Sequence, residues 1–284
     1  HFDVSPTLVL SMGFIFGLVI GSFLNVVILR IPVQLEQSWR KDSRDFLGLE
    51  PENNEEKPFN LVVPASHCPK CQAPLKPWHN IPLFSYLFLR GRCADCPAPI
   101  SLQYPLVELV CAVITGFILY AFGISGTALL LLVFSWALIV LTGIDFNEKL
   151  LPDNITLPLL WLGLLANTQE VFVPLDAAVI GAVAGYLSLW SVFWLFKLLT
   201  GKEGMGHGDF KLLAALGAWL GWQQLPLIIL LSSVVGATIG ILAIIFLGRD
   251  KQIPIPFGPY LAIAGWIALF WGQSLTQYYL SLFG

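Results

Sequence analysis

Two aspartates lie where long apolar segments meet polar loops, and together they could carry out acid–base chemistry. Asp145 ends the apolar run 127–145, and Asp209 immediately precedes a second run that starts at residue 210. Two carboxylates brought close together cannot both ionise easily, so one keeps a proton while the other stays charged. Such a pair can activate a water molecule and protonate a departing amine. The alternative for Asp209 is a helix cap, a role that acids often have at a helix start.

The five residues before Asp209 alternate glycine with another residue, as Gly204-Met205-Gly206-His207-Gly208. Glycine permits positive φ angles and lets a second chain approach the backbone closely. An extended peptide exposes the amide bonds that a helix hides. Gly206 and Gly208 are therefore candidate substrate-binding residues, whereas His207 is expected to be an ordinary neighbour of the site.

Two more acids are candidates for substrate binding. Glu108 falls within an apolar run, where a buried acid is costly and is often functional. Asp153 follows Pro152, a few residues after Asp145. Each has a structural alternative: Glu108 as a hydrogen-bond partner between helices, and Asp153 as a helix cap.

Four cysteines are arranged as two C-x2-C pairs with 21 residues between them. Four thiolates at this spacing can close a tetrahedron around Zn²⁺, which leaves no open position for catalysis. The sequence therefore predicts a structural zinc site, with four free cysteines or a redox pair as the alternative. The predicted ligands are Cys68, Cys71, Cys93 and Cys96.

The composition places this chemistry in a membrane. Of the 284 residues, 56% are hydrophobic and 12% are charged, and the mean hydropathy is +0.76. A soluble domain has about 25% charged residues. A soluble globular domain, a disordered chain and a disulfide-rich secreted module are therefore excluded. The net charge of −3 and the lack of a long basic run argue against a nucleic-acid partner.

We expect an all-α polytopic membrane protein with about eight transmembrane helices and a cytoplasmic zinc-binding loop domain. A span needs about 20 mainly apolar residues. The fourth and sixth of the candidate segments are short. The candidates are 7–29, 105–122, 127–145, 154–168, 176–199, 210–222, 225–247 and 256–272.

The positive charges orient these segments. All 15 lysines and arginines fall on one side of the membrane if both termini face outward. Because positive residues favour the cytoplasmic side, we expect periplasmic termini and an active site at the cytoplasmic face. The predicted segments are a first helix at 1–29, a loop domain at 30–104 and a seven-helix peptidase core at 105–284. Within the loop, residues 36–60 are rich in acids and amides and are expected to be solvated.

The whole set of motifs resembles the type IV prepilin leader peptidases, a family of bifunctional membrane aspartic peptidases and N-methyltransferases that carries a GxGD motif. The resemblance extends over the chain, and the ordered set is far more specific than GxGD alone. The matching motifs, besides the cysteine pairs, are Gly21-Ser22-Phe23-Leu24-Asn25, Asn80-Ile81-Pro82, Arg90-Gly91-Arg92, Tyr104-Pro105-Leu106-Val107-Glu108, Leu151-Pro152-Asp153, Gly206-His207-Gly208-Asp209 and Phe257-Gly258-Pro259-Tyr260.

The resemblance implies a function for several of these residues. Asp145 and Asp209 match the two catalytic aspartates of the family. The substrates would be type IV prepilins and type II secretion pseudopilins in the bacterial inner membrane. Cleavage after a leader glycine would expose a new N-terminus, which S-adenosylmethionine then methylates. Gly91 matches a position that the family associates with methylation, and by exclusion we look for the methyl-transfer site near Gly91 and Glu108.

Three alternatives are open at this stage. A related GxGD peptidase with another substrate would share the aspartates but not the cysteine pairs or the first-helix motif. A cation-coupled transporter could use the same acids, although transport requires acids deep in the membrane and such proteins often carry paired repeats. A zinc-bound scaffold without activity would not need the aspartate pair.

Overall fold

The computed structural model describes residues 6–49, 59–247 and 256–281. These residues fold into helices joined by short turns, and the described part of the chain contains no β-strand. The chain divides into two compact units, His1–Val140 and Leu141–Gly284. Arg249, Lys251 and the acids and amides at positions 50–58 lie outside the described residues.

The first unit contains helices α1 to α3 and most of α4. A 3-10 turn and the five-residue α2 lie in the loop between α1 and α3. The bounds are α1 Pro6–Phe46, the 3-10 turn Pro77–Asn80, α2 Phe84–Phe88, α3 Gln103–Phe122 and α4 Gly126–Glu148.

A line of glycines on α1 allows α3 to approach closely. Gly13, Gly17 and Gly21 are spaced by four residues, so they share one face of α1. A Cβ atom on Gly17 would lie 2.6 Å from the Cα of Ala112, and one on Gly21 would lie 2.7 Å from the Cα of Glu108. Small residues that bring two backbones together are typical of helix pairs in membranes, where packing drives association.

The second unit is built around a short, almost fully buried helix. Helix α7 presents only Lys211 and its first two residues outside the interior, while residues 212–220 are all buried. Helix α6 packs against it so closely that a Cβ on Gly185 would lie 2.6 Å from the carbonyl oxygen of Leu213. The helices of this unit, after the end of α4, are α5 Asp153–Asn167, α6 Leu175–Thr200, α7 His207–Leu220, α8 Leu225–Leu247 and α9 Gly258–Ser281.

Each predicted apolar segment falls on one helix, which confirms the all-helical fold class. Five helical segments of the described chain are long and apolar enough to cross a membrane: Pro6–Phe46, Gln103–Phe122, Gly126–Glu148, Leu175–Thr200 and Trp222–Phe246. At about 1.5 Å per residue, α5 and α7 extend roughly 22 Å, which is less than the ~30 Å of a hydrocarbon core. The number of eight spans therefore stays a prediction.

The first helix extends beyond the predicted membrane span. The sequence predicts a membrane span that ends at residue 29, and α1 continues beyond that point to Phe46. The charged residues after 29 mark a change from apolar to polar surroundings, and such a change does not interrupt a helix. Residues 36–46 are helical, and the described part of the 36–60 stretch is mainly exposed, as expected. The predicted division at 1–29, 30–104 and 105–284 stays a prediction.

Candidate active site

Asp145 lies in the last turn of α4, where the helix leads into a tight turn. Lys149 adopts a positive φ of 55° and its N–H bonds to the carbonyl oxygen of Asp145, which closes the helix. The Asp145 side chain is only 5% exposed. Its Oδ2 atom accepts a hydrogen bond of 2.9 Å from the backbone N–H of Gly258, the first residue of α9.

Asp209 lies in the first turn of α7, after the glycine-rich segment. Gly206 precedes the helix, and its carbonyl oxygen accepts a hydrogen bond of 3.3 Å from the backbone N–H of Asp209. The Asp209 side chain is 6% exposed. Because the first backbone N–H groups of a helix are unpaired and point outward, an acid here is also favoured by the helix dipole. The capping alternative and the catalytic interpretation are therefore compatible at this residue.

The structure brings the two aspartates together in the second unit. Both are buried, and Leu151 lies against Gly258, which bonds to Asp145, and against Gly208, which precedes Asp209. Among the described residues, no lysine, arginine or histidine forms an ion pair with either one. Two neighbouring acids without a counter-charge favour the state in which they share one proton.

Gly208 and Gly258 allow Leu151 to pack closely against the starts of α7 and α9, next to the two aspartates. A Cβ on Gly208 would lie 2.7 Å from the Cβ of Leu151, and a Cβ on Gly258 would lie 3.1 Å from the Cδ2 of the same leucine. The buried Leu151 thus lies against the starts of α7 and α9. Gly206 is exposed and has open space around it, with the nearest atom to a Cβ at 3.7 Å. Gly206 is free to meet a substrate, while Gly208 also has a packing role.

Asp153 and Lys211 form an ion pair beside the aspartates. The Nζ atom of Lys211 lies 2.7 Å from both carboxylate oxygens of Asp153. The pair joins the first turn of α5 to the first turn of α7, two residues after Asp209. His207 packs against the rings of Phe193 and Phe210, at 5.0 and 5.5 Å between centroids, as expected of an ordinary neighbour.

In the first unit, the four cysteines form a compact cluster, as predicted. Their sulfur atoms all lie within 4.8 Å of one another. The Sγ atoms of Cys68 and Cys96 are 3.9 Å apart, and those of Cys71 and Cys93 are 4.0 Å apart. A tetrahedron with Zn–S bonds of about 2.3 Å has S···S edges of about 3.8 Å. The cluster fits a structural Zn²⁺, and all five cysteines of the chain are free of disulfides.

Each C-x2-C pair lies on a turn that presents its sulfur atoms. The N–H of Cys68 bonds to the carbonyl oxygen of Ala73, and the N–H of Cys93 bonds to that of Ala98. The backbone N–H groups of Cys71 and Lys70 lower the pKa of the Cys68 thiol to about 6. A backbone hydrogen bond at Ala73 lowers the pKa of the Cys71 thiol. Desolvation and the neighbouring sulfur atoms together outweigh it and raise this pKa to about 12. A metal cation would relieve this repulsion between sulfurs.

Glu108 is buried on the face of α3 that packs against α1. Its side chain is 7% exposed, and Oε2 accepts a hydrogen bond of 2.8 Å from the backbone N–H of Leu83. Leu83 has φ 59° and ψ −48°, a conformation that is rare for a residue with a side chain. The side chain of Ser22 on α1 faces Glu108, and the interhelical role of Glu108 stays a prediction.

Gly91 lies in the turn that leads to the second cysteine pair. Its φ is 67°, and a Cβ there would lie 2.9 Å from the hydroxyl oxygen of Tyr86. Its N–H bonds to the carbonyl oxygen of Tyr86, and its own carbonyl oxygen accepts from Ile100. Both the backbone conformation and the neighbouring ring require glycine at this position.

Three features of the site were not predicted by sequence reasoning. Two are contacts: the hydrogen bond from Gly258 to Asp145 and the ion pair of Lys211 with Asp153. The third is the missing contact of the buried Asn25, whose Oδ1 atom has no hydrogen-bond partner. Gly258 and Asn25 belong to motifs noted above, which was the available signal. The closeness of Lys211 to Asp209 in the chain could have indicated its place.

Comparisons with known proteins agree with these sites. Residues 15–122 match the bacterial peptidase A24 N-terminal domain, and residues 132–241 match the type IV leader peptidase family. A prepilin leader peptidase/N-methyltransferase of Aeromonas hydrophila is 56% identical over 98% of this chain and 96% of its own length. Proteins of that name from Pseudomonas aeruginosa and Legionella pneumophila are 56% and 47% identical, each over 94% of this chain and 92% of their lengths. No solved structure matches the chain.

Proposed function

This chain belongs to the type IV leader peptidase family, and we propose that it cleaves the leader peptide of type IV prepilins and type II secretion pseudopilins and then N-methylates the new N-terminus. The catalytic aspartates are Asp145 and Asp209. The observation that carries this proposal is the juxtaposition of these two buried, uncompensated acids in one unit. A buried acid pair has a high energetic cost, which a structural role alone would not require.

Cleavage follows aspartic-protease chemistry. The charged member of the pair takes a proton from a water molecule, which attacks the scissile carbonyl carbon. The protonated member donates its proton as the carbon–nitrogen bond breaks, so that the departing amine leaves neutral. No covalent bond forms between enzyme and substrate. Gly258 holds Asp145 in place by its N–H.

The substrate lies partly in the membrane and partly outside it. The apolar helix of the prepilin occupies the bilayer, and its basic leader stays at the cytoplasmic face. Gly206 and Gly208 line the path of the extended segment in the second unit, and Asp153 with its partner Lys211 lies beside them. Glu108 lies in the first unit and contacts the substrate only in the methylation step. The enzyme is a multi-pass protein of the bacterial inner membrane, with both termini periplasmic and the active site at the cytoplasmic face. The five long apolar helical segments of the described chain support the membrane assignment.

Methylation uses S-adenosylmethionine, a co-substrate whose sulfonium group supplies the methyl. The candidates for this step are Gly91 and Glu108 in the first unit. Gly91 is supported by its positive φ and its close contact with Tyr86, which favour glycine, and Glu108 by its buried carboxylate. The four cysteines would hold Zn²⁺ as a structural ion, and the closed site would fix the loop that contains Gly91. No step of either reaction passes through the metal.

The experiment that tests this function uses the full-length protein in lipid. It is incubated with a prepilin-type substrate and S-adenosylmethionine, and the intact mass of the substrate is then measured. Loss of the leader together with the gain of one methyl group supports both activities. Loss of the leader alone supports the peptidase and contradicts the methyltransferase. An unchanged mass with an authentic substrate and a folded enzyme contradicts the peptidase.

A further inference from the structure

The contact between α1 and α3 contains a buried amide whose oxygen has no partner. The Nδ2 atom of Asn25 donates to the carbonyl oxygens of Tyr104, at 3.1 Å, and Gly21, at 3.3 Å. Because both neighbours are acceptors, the amide nitrogen must face them and Oδ1 must point the other way. Asn25 is only 2% exposed, yet Oδ1 accepts no hydrogen bond. An unpaired buried acceptor is costly, and its place in a folded protein calls for an explanation.

A second acceptor in the same contact carries a negative charge. Glu108 is buried, its Oε2 atom accepts a hydrogen bond from the backbone N–H of Leu83, and the side chain of Ser22 faces it from α1. Within the described residues, no lysine, arginine or histidine lies close enough to form an ion pair with it. Carboxylates inside membrane proteins almost always have a compensating partner.

Both acceptors occupy the same short stretch of this contact. Gly21, whose carbonyl oxygen accepts from Asn25, is the residue at which α1 comes closest to the backbone of Glu108. Ser22 and Asn25 lie one turn apart on α1, and Tyr104 and Glu108 lie one turn apart on α3. The two acceptors can therefore serve one small ligand that brings a positive charge and several donors.

We propose that Asn25 Oδ1 and the Glu108 carboxylate bind the primary ammonium group of the mature substrate N-terminus for methylation. This inference rests on the proposed methyltransferase function and adds the chemistry by which the acceptor amine is recognised. A primary ammonium has a positive charge and three N–H donors, which suits one carboxylate and one amide oxygen. The sulfonium centre of S-adenosylmethionine has no N–H, but the amino group of its methionine part is also a primary ammonium. The KM for S-adenosylmethionine, measured in the same variants, separates these two ammonium groups.

The bound ammonium needs to lose one proton before it can react. The Glu108 carboxylate takes that proton, which frees the nitrogen lone pair. The nitrogen then attacks the methyl carbon of the sulfonium donor, and the carbon–sulfur bond breaks with its electron pair remaining on sulfur. The products are a methylated ammonium and a neutral thioether, and Glu108 returns its proton to water.

A lysine of the basic leader offers the same chemistry, so the test must separate the two sources. Glu108→Gln keeps the size of the side chain and its acceptor for Leu83, and removes the charge. Asn25→Ala removes the amide oxygen. Cys111→Ala is the matched control, because Cys111 is fully buried in the same helix contact but is not one of the acceptors.

Each variant is assayed as the full chain in lipid, with two substrates. An unprocessed prepilin reports leader cleavage, and a pre-cleaved mature pilin with a free N-terminus reports methylation. We expect Glu108→Gln and Asn25→Ala to raise the KM for the mature pilin at least about tenfold, the typical effect of losing a hydrogen bond to a charged group. Because Glu108 also accepts the ammonium proton, Glu108→Gln should in addition lower the kcat of methylation. The KM for S-adenosylmethionine, the rate of cleavage and the Cys111→Ala control should be unchanged. A short peptide of the mature N-terminus should compete in the wild type, and its N-acetylated form should not.

Three results would overturn the assignment. The first is unchanged methylation in both variants. The second is an equal effect of the free and acetylated peptides. The third is a loss of cleavage that is greater for lysine-containing leaders than for arginine-only leaders, which would assign the ammonium to the leader. Failure of the proposed function itself is distinguishable, because the wild type would then process neither substrate.

Discussion

The backbone N–H of Gly258 donates a 2.9 Å hydrogen bond to Oδ2 of Asp145, across 113 positions of the chain. This contact fixes one carboxylate of the pair against the start of α9. It also leaves no room for a larger residue, since a Cβ on Gly258 would lie 2.7 Å from the same oxygen atom. The glycine is therefore part of the mechanism that orients Asp145.

Replacement of Gly258 by alanine should impair cleavage. The added methyl group must displace the Asp145 carboxylate, and a misplacement of about 1 Å in a catalytic group can cost roughly a hundredfold in rate. We expect Gly258→Ala to lower the cleavage rate at least about tenfold by the same reasoning. The measurement is the initial rate of leader removal. Gly126→Ala is the matched control, because a Cβ at that position meets no atom within 4 Å.

The ion pair of Lys211 with Asp153 should position Asp209 and should contribute little to stability. The Asp153 side chain is 55% exposed, and exposed ion pairs contribute at most about 1 kcal/mol. We expect Lys211→Ala and Asp153→Ala each to slow cleavage severalfold with little change in thermal stability. The double variant Asp153→Lys with Lys211→Asp should recover part of the lost rate. If Asp153 instead binds the basic leader directly, the effect of its substitution will depend on the leader's charge and the double variant will not recover activity.

The four-cysteine cluster should hold about one zinc ion per chain, as a closed tetrahedral site does. Elemental analysis of the purified protein checks this expectation. Cys71→Ser and Cys93→Ser should lower the metal content, and the loop should become more sensitive to proteolysis. Cys111→Ala should keep the metal, since Cys111 is outside the cluster. Full zinc content in Cys93→Ser would contradict the assignment of the ligands.

Alanine at position 91 should impair methylation and spare cleavage. Its side chain would adopt an unfavourable φ of 67° and would contact the Tyr86 hydroxyl at 2.9 Å. Gly48→Ala is the control that separates backbone strain from the contact with Tyr86. Gly48 has a similar φ of 63°, but no atom lies within 4 Å of a Cβ at that position. If the Gly91→Ala variant methylates a mature pilin at the normal rate, Gly91 has no role in the methyl-transfer site.

The helices were well predicted because their apolar runs end at residues that break helices. Helix α3 ends at Phe122, before Gly123, and α7 ends at Leu220, before Gly221, and both glycines have a positive φ. The membrane span predicted at 7–29 falls within α1, which continues to Phe46 because a change to charged residues does not end a helix. Charge patterns locate the edge of a membrane, whereas caps and glycines locate the end of a helix.

The candidate site was only partly predictable for a different reason. The cysteine pairs can be read from the sequence because their ligand spacing is local and typical of zinc sites. The contact of Gly258 with Asp145 depends on how α9 packs against the end of α4, and no local pattern encodes that. The unpaired oxygen of Asn25 is likewise a property of the packed helices, since it follows from the two carbonyl groups that the amide nitrogen faces.

The central claim is that Asp145 and Asp209 together cleave the leader, and the Asp209→Asn variant tests it most directly. Asparagine keeps the size of the side chain and cannot exchange the proton. The variant is given an unprocessed prepilin and, separately, a mature pilin with S-adenosylmethionine. We predict that cleavage falls at least about a hundredfold, as expected for loss of an acid–base group, while methylation of the mature pilin continues and shows that the protein is folded. A folded Asp209→Asn variant that removes the leader at the normal rate would contradict the account.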